Sequence, residues 1–336
     1  LGAPLGRAVD LDFVYRNEKK RRDAQIGIGM INYFHSLNQE EPSQWVRNLN
    51  VSVAILDMNN GWRNVGIRNI RRLIEHFQFQ IRSSHPQVEI KVDQYHVRDR
   101  SEIPDLSYDI YVSSGGPGNP LEDSGSDWEN RFFRLLDDVW QHNATNEQKK
   151  FFFGICHSFQ VMVKRFDIGV ISRRERRNLG IVPVFKTQAG THDPIFDGLH
   201  PKFYVFDNRD YQVTDPDHRK LDALGASVLS YECENNRLGE AITGIRYTPE
   251  IESVQFHPEA EKNGILIRFT DPEERLKMIE LIGEEKFDEF MQSVHNPNKL
   301  LRTYRTVLPG FLTRSFNRLM MYYDRPPLDT GEGFKN

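Results

Sequence analysis

"VSVAILDMNNGWRNVGIRNIRRLIEHF", residues 51 to 77, changes its hydrophobic period in the middle. Val51 to Leu56 form a short β-branched apolar run, bounded by Asp57 and the turn-forming Asn59-Asn60-Gly61; such a run reads as a buried strand. Val65, Ile67, Ile70, Leu73, Ile74 and Phe77 then recur at spacings near three and four, which predicts an amphipathic helix. The unit repeats outward. "VEIKVDQYHV" (88 to 97) and "YDIYVSSGG" (108 to 116) read as strands, "WENRFFRLLDDVWQHN" (128 to 143) as a helix and "KKFFFGIC" (149 to 156) as a further strand. Strands alternating with helices predict an α/β fold, a mostly parallel sheet with helices on both faces.

In such sheets ligands gather beyond the carboxyl ends of the strands, and this chain puts its unusual chemistry there. "YDIYVSS" runs into Gly-Gly-Pro-Gly, "FFFGI" into Cys156, and "IESVQF" into His257, Pro258 and Glu259. Gly154-Ile155-Cys156 has the small residue and sharp turn of a nucleophile elbow, and a helix starting after the cysteine favours its thiolate. On its own, Cys156 reads rather as a small buried hydrophobe than as a nucleophile. His257 as base and Glu259 as its orienting carboxylate supply what a cysteine nucleophile needs. "SSGGPGNP" (113 to 120) supplies the third requirement: N–H groups near Gly115 and Gly116, with that of His157, would face a developing oxyanion. No phosphate-loop lysine follows these glycines.

The chain has 336 residues, 38% of them hydrophobic, enough for a real core. With 44 basic against 48 acidic residues, a net charge of −4 gives no polyanion-binding surface, so nucleic acid is not an expected partner. Cys156 and Cys233 are the two cysteines; they make no disulfide framework, and a reducing, cytoplasmic setting is expected. No basic region precedes an apolar leader, and no segment reaches the roughly 18 apolar residues of a membrane helix, so neither secretion nor membrane association is expected. The eleven histidines show no metal-ligand spacing, and neither a metal nor an organic cofactor is expected.

"SSGGPGNP", "GICHSFQ" and "SVQFHPEA", in that order, resemble the class I, or triad, glutamine amidotransferases over roughly residues 51 to 270. The resemblance implies a flavodoxin-like fold and a Cys156, His257, Glu259 triad that cleaves the side-chain amide of L-glutamine through a glutamyl thioester. It also implies that Gln160 lines the substrate pocket and that "GVISRRERRNLGIVPV" (169 to 184) is the ridge after the elbow helix. Two departures stand out. Ser158 and Phe159 replace the glycine and histidine usual after the nucleophile, and the loop at 206 to 211 carries Asp207, Asn208, Arg209, Asp210 and Tyr211 in place of histidine and serine. Arg209 reads either as a bidentate holder of a substrate carboxylate or as a salt bridge to Asp207 or Asp210. It also supports a rival, an acyltransferase of the homoserine succinyltransferase type with the same triad. A third reading is an amidotransferase-like binding module without turnover.

Four regions are expected: an N-terminal arm (1 to 50), the amidotransferase-like domain (51 to 271), a C-terminal helical extension (272 to 322) and a disordered tail (323 to 336). Asp271-Pro272-Glu273-Glu274 reads as a helix start, with Leu276, Ile279, Phe287 and Phe290 turned to the core. Pro309 and Gly310 interrupt the next helix, and Arg302, Arg305, Arg314 and Arg318 mark its solvated face. Arg173, Arg174, Arg176 and Arg177 read as a solvated ridge. Released ammonia needs an acceptor, so the amidotransferase reading carries a separate synthetase subunit as its expected partner. The extension is read as covering the sheet, with oligomerisation left open.

Overall fold

The computed structural model describes residues 48–62, 65–233, 240–296 and 299–328. Nearly all of the expected N-terminal arm, and the tail from residue 329, lie outside the described residues.

Strand β1 (Leu49–Asp57) is paired in parallel on both sides, with β2 (Val88–His96) and β3 (Ile110–Ser113). β4 (Phe151–Ile155) continues the parallel half, which ends at β9 (Ile251–Val254). Beyond β9 the pairing turns antiparallel through β8 (Ile242–Arg246), β7 (Ser227–Tyr231), β5 (Val170–Lys186) and β6 (Lys202–Thr214). The sheet order is β2-β1-β3-β4-β9-β8-β7-β5-β6, a flavodoxin-like parallel half extended by an antiparallel one. The described helices are α1 (Val65–Ile81), α2 (Val97–Arg100), α3 (Asp127–Thr145), α4 (His157–Phe166), α5 (Gln188–His192), α6 (His218–Leu224), α7 (Lys262–Arg268), α8 (Pro272–Ile282), α9 (Glu284–His295) and α10 (Leu300–Tyr322).

Because alternate strand residues face opposite sides, the parallel half is apolar on both. Val53, Ile55, Phe151 and Phe153 pack with Ile70, Phe77, Phe311 and Phe316 of α1 and α10, while Ala54, Leu56 and Phe152 pack with Phe132, Leu136 and Met162 of α3 and α4. The C-terminal extension therefore covers a sheet face. A third cluster joins Met278, Phe287 and Phe290 of α8 and α9 to Leu179, Ile181 and Phe206 of the β5–β6 pair. Leu276, expected in the core, is exposed, and Met278 takes its place. Asp271 caps α8 by accepting from the Glu273 N–H, with Pro272 in the first turn, as its sequence indicates.

Four further expectations change. Pro309 lies inside α10, which runs through it unbroken. An interior proline costs about 3 kcal/mol, but Val307, Leu308, Phe311 and Leu312 on either side are all buried and hold both halves on one surface. Of the arginines expected on the solvated face of α10, Arg305 and Arg318 are exposed, but Arg314 is tied to the sheet, donating to Glu252 Oε1 (2.6 Å). Residues 206 to 211, read as a loop, belong to β6, where buried Phe203, Val205, Asp207 and Arg209 keep a period of two. The two charged members disguise the strand. Part of the stretch expected to be disordered is anchored, with His85 Nε2 donating to the Pro326 carbonyl (2.8 Å) and Leu328 N–H to Asn317 (2.7 Å).

Candidate active site

The parallel strands end together at Met58, at Ser113 to Gly116, at Cys156 and at Gln255 to His257. Cys156 sits between β4 and α4 with φ 51° and ψ −99°, and its N–H donates to the Val254 carbonyl (2.9 Å). A non-glycine residue there costs about 1–3 kcal/mol, so its surroundings must impose the turn. They do so on both sides. A Cβ on Gly154 would come within 2.4 Å of Met162 Sδ, and Ser158 Oγ donates to the Ser114 carbonyl (2.7 Å) while meeting Ser113 Oγ at 2.7 Å. Ser158 thus binds the elbow to the glycine loop, and Phe159 is buried in the core beneath it.

His257 Nδ1 lies 2.8 Å from Glu259 Oε1 across Pro258. The edge strand β6 curls back to reach this turn, the His257 N–H donating to the Phe206 carbonyl (2.9 Å). With Nδ1 engaged, Nε2 is the ring nitrogen left over, and the Cys156 sulfur is near enough for its negative charge to act on the imidazole. Burial disfavours an imidazolium here, but the Glu259 carboxylate and the sulfur outweigh it and hold His257 well above the usual histidine range.

Gly115 lies against this pair: a Cβ would sit 2.7 Å from His257 Cε1 and 3.2 Å from Cys156 Cβ. At Gly116 a Cβ would be 2.0 Å from the Met58 carbonyl oxygen, so any side chain displaces backbone. His157 is buried at the start of α4, its pKa pushed down to about 3 by burial and by the Arg98 and Lys164 cations. Its ring is neutral at physiological pH.

Gln160 is buried against Gln255, and Arg209 takes the salt bridge to Asp207 that was one of its two readings. The Gln160 amide donates to the Tyr211 carbonyl (3.2 Å) and to Gln255 Oε1 (3.1 Å), while Gln255 Nε2 lies 3.8 Å from the Cys156 sulfur. Gln160 thus reaches the thiol through Gln255, a contact the sequence reading missed; residues 253, 255 and 257 alternate onto one side, which was the available signal. Arg209 is buried, with Nε on Asp207 (2.8 Å) and Nη2 on Glu232 (2.6 Å). Glu232 also receives Arg174, which falls in the register shift of β5 between Arg173 and Asn178. Arg209 Nη1 and Asp207 Oδ1 are buried without a hydrogen-bond partner among the described residues. Arg98 was not singled out in the sequence; it reaches the glycine loop, donating to the Pro117 carbonyl. Among the described residues no group of three or more His, Cys, Asp or Glu side chains is arranged to hold a metal ion, and no helix is long and apolar enough to cross a membrane.

The sequence profile described as glutamine amidotransferase class-I matches residues 70–264. Among solved structures, a glutamine amidotransferase from Thermotoga maritima superposes with a TM-score of 0.55 at 16% identity, covering 79% of this chain and 97% of the other. The protein SMU.1228c gives 0.51 at 15% identity, covering 78% and 99%. At such identities these likenesses speak for the fold. No curated protein matches the chain.

Proposed function

The chain belongs to the class-I glutamine amidotransferase family, and from that premise we propose that it is a cysteine-dependent glutaminase that passes ammonia to an acceptor on a partner synthetase. The observation that carries the reading is the strained elbow of Cys156 beside a histidine already oriented by a carboxylate. The Cys156 thiolate attacks the side-chain carbonyl carbon of L-glutamine, and N–H groups at Gly115, Gly116 and His157 receive the charge that develops on the carbonyl oxygen. Imidazolium His257 gives its proton to the departing nitrogen, so ammonia leaves and a glutamyl thioester remains on Cys156. Neutral His257 then takes a proton from water, whose oxygen attacks the thioester. Collapse returns the proton to sulfur and releases glutamate. Glu259 keeps the imidazole in the tautomer both steps need.

Asp207 and Arg209 bear on the substrate's far end. The cluster of Asp207, Arg209, Glu232 and Arg174 carries two charges of each sign, which suits the zwitterionic head of an amino acid better than a lone carboxylate. That favours glutamine over the acyl group of the succinyltransferase alternative, which needs an arginine with charge to spare. The deciding experiment is glutamate release from L-glutamine by the purified protein and by Cys156→Ala. Release that vanishes in the variant supports the reading, whereas equal release in both overturns it. Should neither release glutamate, the mass of Cys156 after incubation with a coenzyme A thioester tests the acyl-transfer alternative.

A further inference from the structure

Arg98 stands on α2, the single turn after β2, with its side chain 5% exposed. Its Nη1 donates to two carbonyl oxygens, Met58 at the end of β1 (3.2 Å) and Pro117 in the glycine loop (2.5 Å). Nη2 donates to Asp123 Oδ2 (3.0 Å), beyond that loop. The guanidinium carbon lies 5.5 Å from the Trp128 ring centroid, and Trp128 in turn lies 6.5 Å from the ring of His157. One buried cation therefore touches the strand end behind Gly116, the loop after it, and the aromatic neighbour of the residue that follows the nucleophile. Gly118, at φ +99°, lets the loop close around it: a Cβ there would stand 3.3 Å from Nη2. A lysine ammonium lacks the fork that serves these separate acceptors from a fixed plane.

We propose that Arg98 is a positioning residue that holds the N–H donors of Gly115, Gly116 and His157 in place for the oxyanion. This rests on the thiol acyl chemistry described above, but not on glutamine as the acyl donor. Arg98 acts through backbone, not by touching substrate. Its loss should slow steps that form an oxyanion and spare thiol reactions that form none. Two reagents separate these. With 4-nitrophenyl acetate the Cys156 thiolate forms a C–S bond at the carbonyl, and the oxyanion collapses to expel 4-nitrophenolate. With iodoacetamide the same thiolate displaces iodide from a methylene carbon, and no oxyanion arises.

The test compares both rates in the full-length wild type, Arg98→Lys and Arg98→Ala, with Cys156→Ala as the blank. In Arg98→Lys, which keeps the charge beside Asp123 and loses the fork, acylation is expected to fall by about 100-fold, the penalty of a misplaced catalytic group, with alkylation unchanged. Added methylguanidine should restore acylation in Arg98→Ala and leave the wild type unaffected, a rescue that a loosened fold would not show. Wild-type acylation rates in Arg98→Lys, or acylation and alkylation falling together in both variants, would overturn the proposal. Glutamate release from L-glutamine is followed in parallel. If the wild type is silent on glutamine while the two reagents still divide, the glutaminase reading fails and the role of Arg98 stands. A wild-type Cys156 that the ester never acylates sinks both.

Discussion

His257 and His157 lie on either side of one cysteine, and their environments push them in opposite directions. At His257 burial is outweighed by Glu259 and by the sulfur, so the imidazolium persists well above the usual histidine pKa. This ring is the proposed donor to the leaving nitrogen, so turnover should be lost as pH rises through that raised pKa. Glu259→Gln removes the largest stabiliser of the imidazolium. Its alkaline limb in a profile of kcat against pH is expected to move to lower pH, with activity reduced less than in Cys156→Ala; an unmoved limb would deny Glu259 this role. At His157 the sign is reversed, because burial and two cations hold the folded-state pKa at about 3 against about 6.5 for an unfolded histidine. Between those values the unfolded chain binds the extra proton. The contribution of His157 is thus complete above pH 6.5 and is lost as pH falls toward 3, at about 1.4 kcal/mol per pH unit. Urea unfolding at several pH values should show that slope in the wild type and a shallower one in His157→Gln.

Elements were more legible in the sequence than the contacts between them. Residues 51 to 77 announce the first strand and helix through their change of period, and the strand ends at Ser113, Cys156 and Phe256 stand out because glycine, cysteine and histidine follow apolar runs. The antiparallel half was harder to read. In β6 the buried positions include Asp207 and Arg209, which neutralise each other in the folded chain and look like a polar loop in the sequence. Glu232 and Arg98 reach their partners across 23 to 58 and 19 to 40 residues of chain, so no local period reveals them. Pro309 shows the opposite error, a strong breaker overruled by burial on both sides of it. Its cost should be recoverable. Pro309→Ala restores an N–H and relieves the ring, so denaturant unfolding is expected to show a gain of about 1–3 kcal/mol; no gain would mean that the helix has already adapted to the missing bond. At the glycine loop, by contrast, backbone leaves no room. Gly116→Ala places a methyl against the Met58 carbonyl, and a kcat loss of about 100-fold is expected even where the protein still folds.

For the molecule as a whole, the C-terminal extension enters the construction of β9, the strand that leads to His257. Glu252 in β9 is fully buried five residues before His257, where an isolated carboxylate would be too costly to keep charged. Arg246 of the neighbouring β8 ion-pairs with it, and Arg314 of α10 donates to Oε1 while a second nitrogen holds the Pro194 carbonyl (2.8 Å). The helix that covers the sheet thus also completes the charge balance beneath the site. Arg314→Ala leaves the Glu252 charge with one cation, and removing a partner from a buried pair costs about 3–5 kcal/mol. Arg314 is partly open to solvent, so about 3 kcal/mol is expected in urea unfolding. Glu252→Gln in the same chain removes the charge that Arg314 neutralises, and the double variant should lose less than the sum of the singles. Additive losses would show that α10 is held by its apolar face alone and that Arg314 only lies near the carboxylate. Arg314 bonds to Glu252 and Pro194 and not to the proposed triad, whose His257 and Glu259 lie beyond the end of β9 and whose Cys156 lies beyond β4, so kcat measured well below the unfolding transition is expected to stay near the wild-type value in Arg314→Ala.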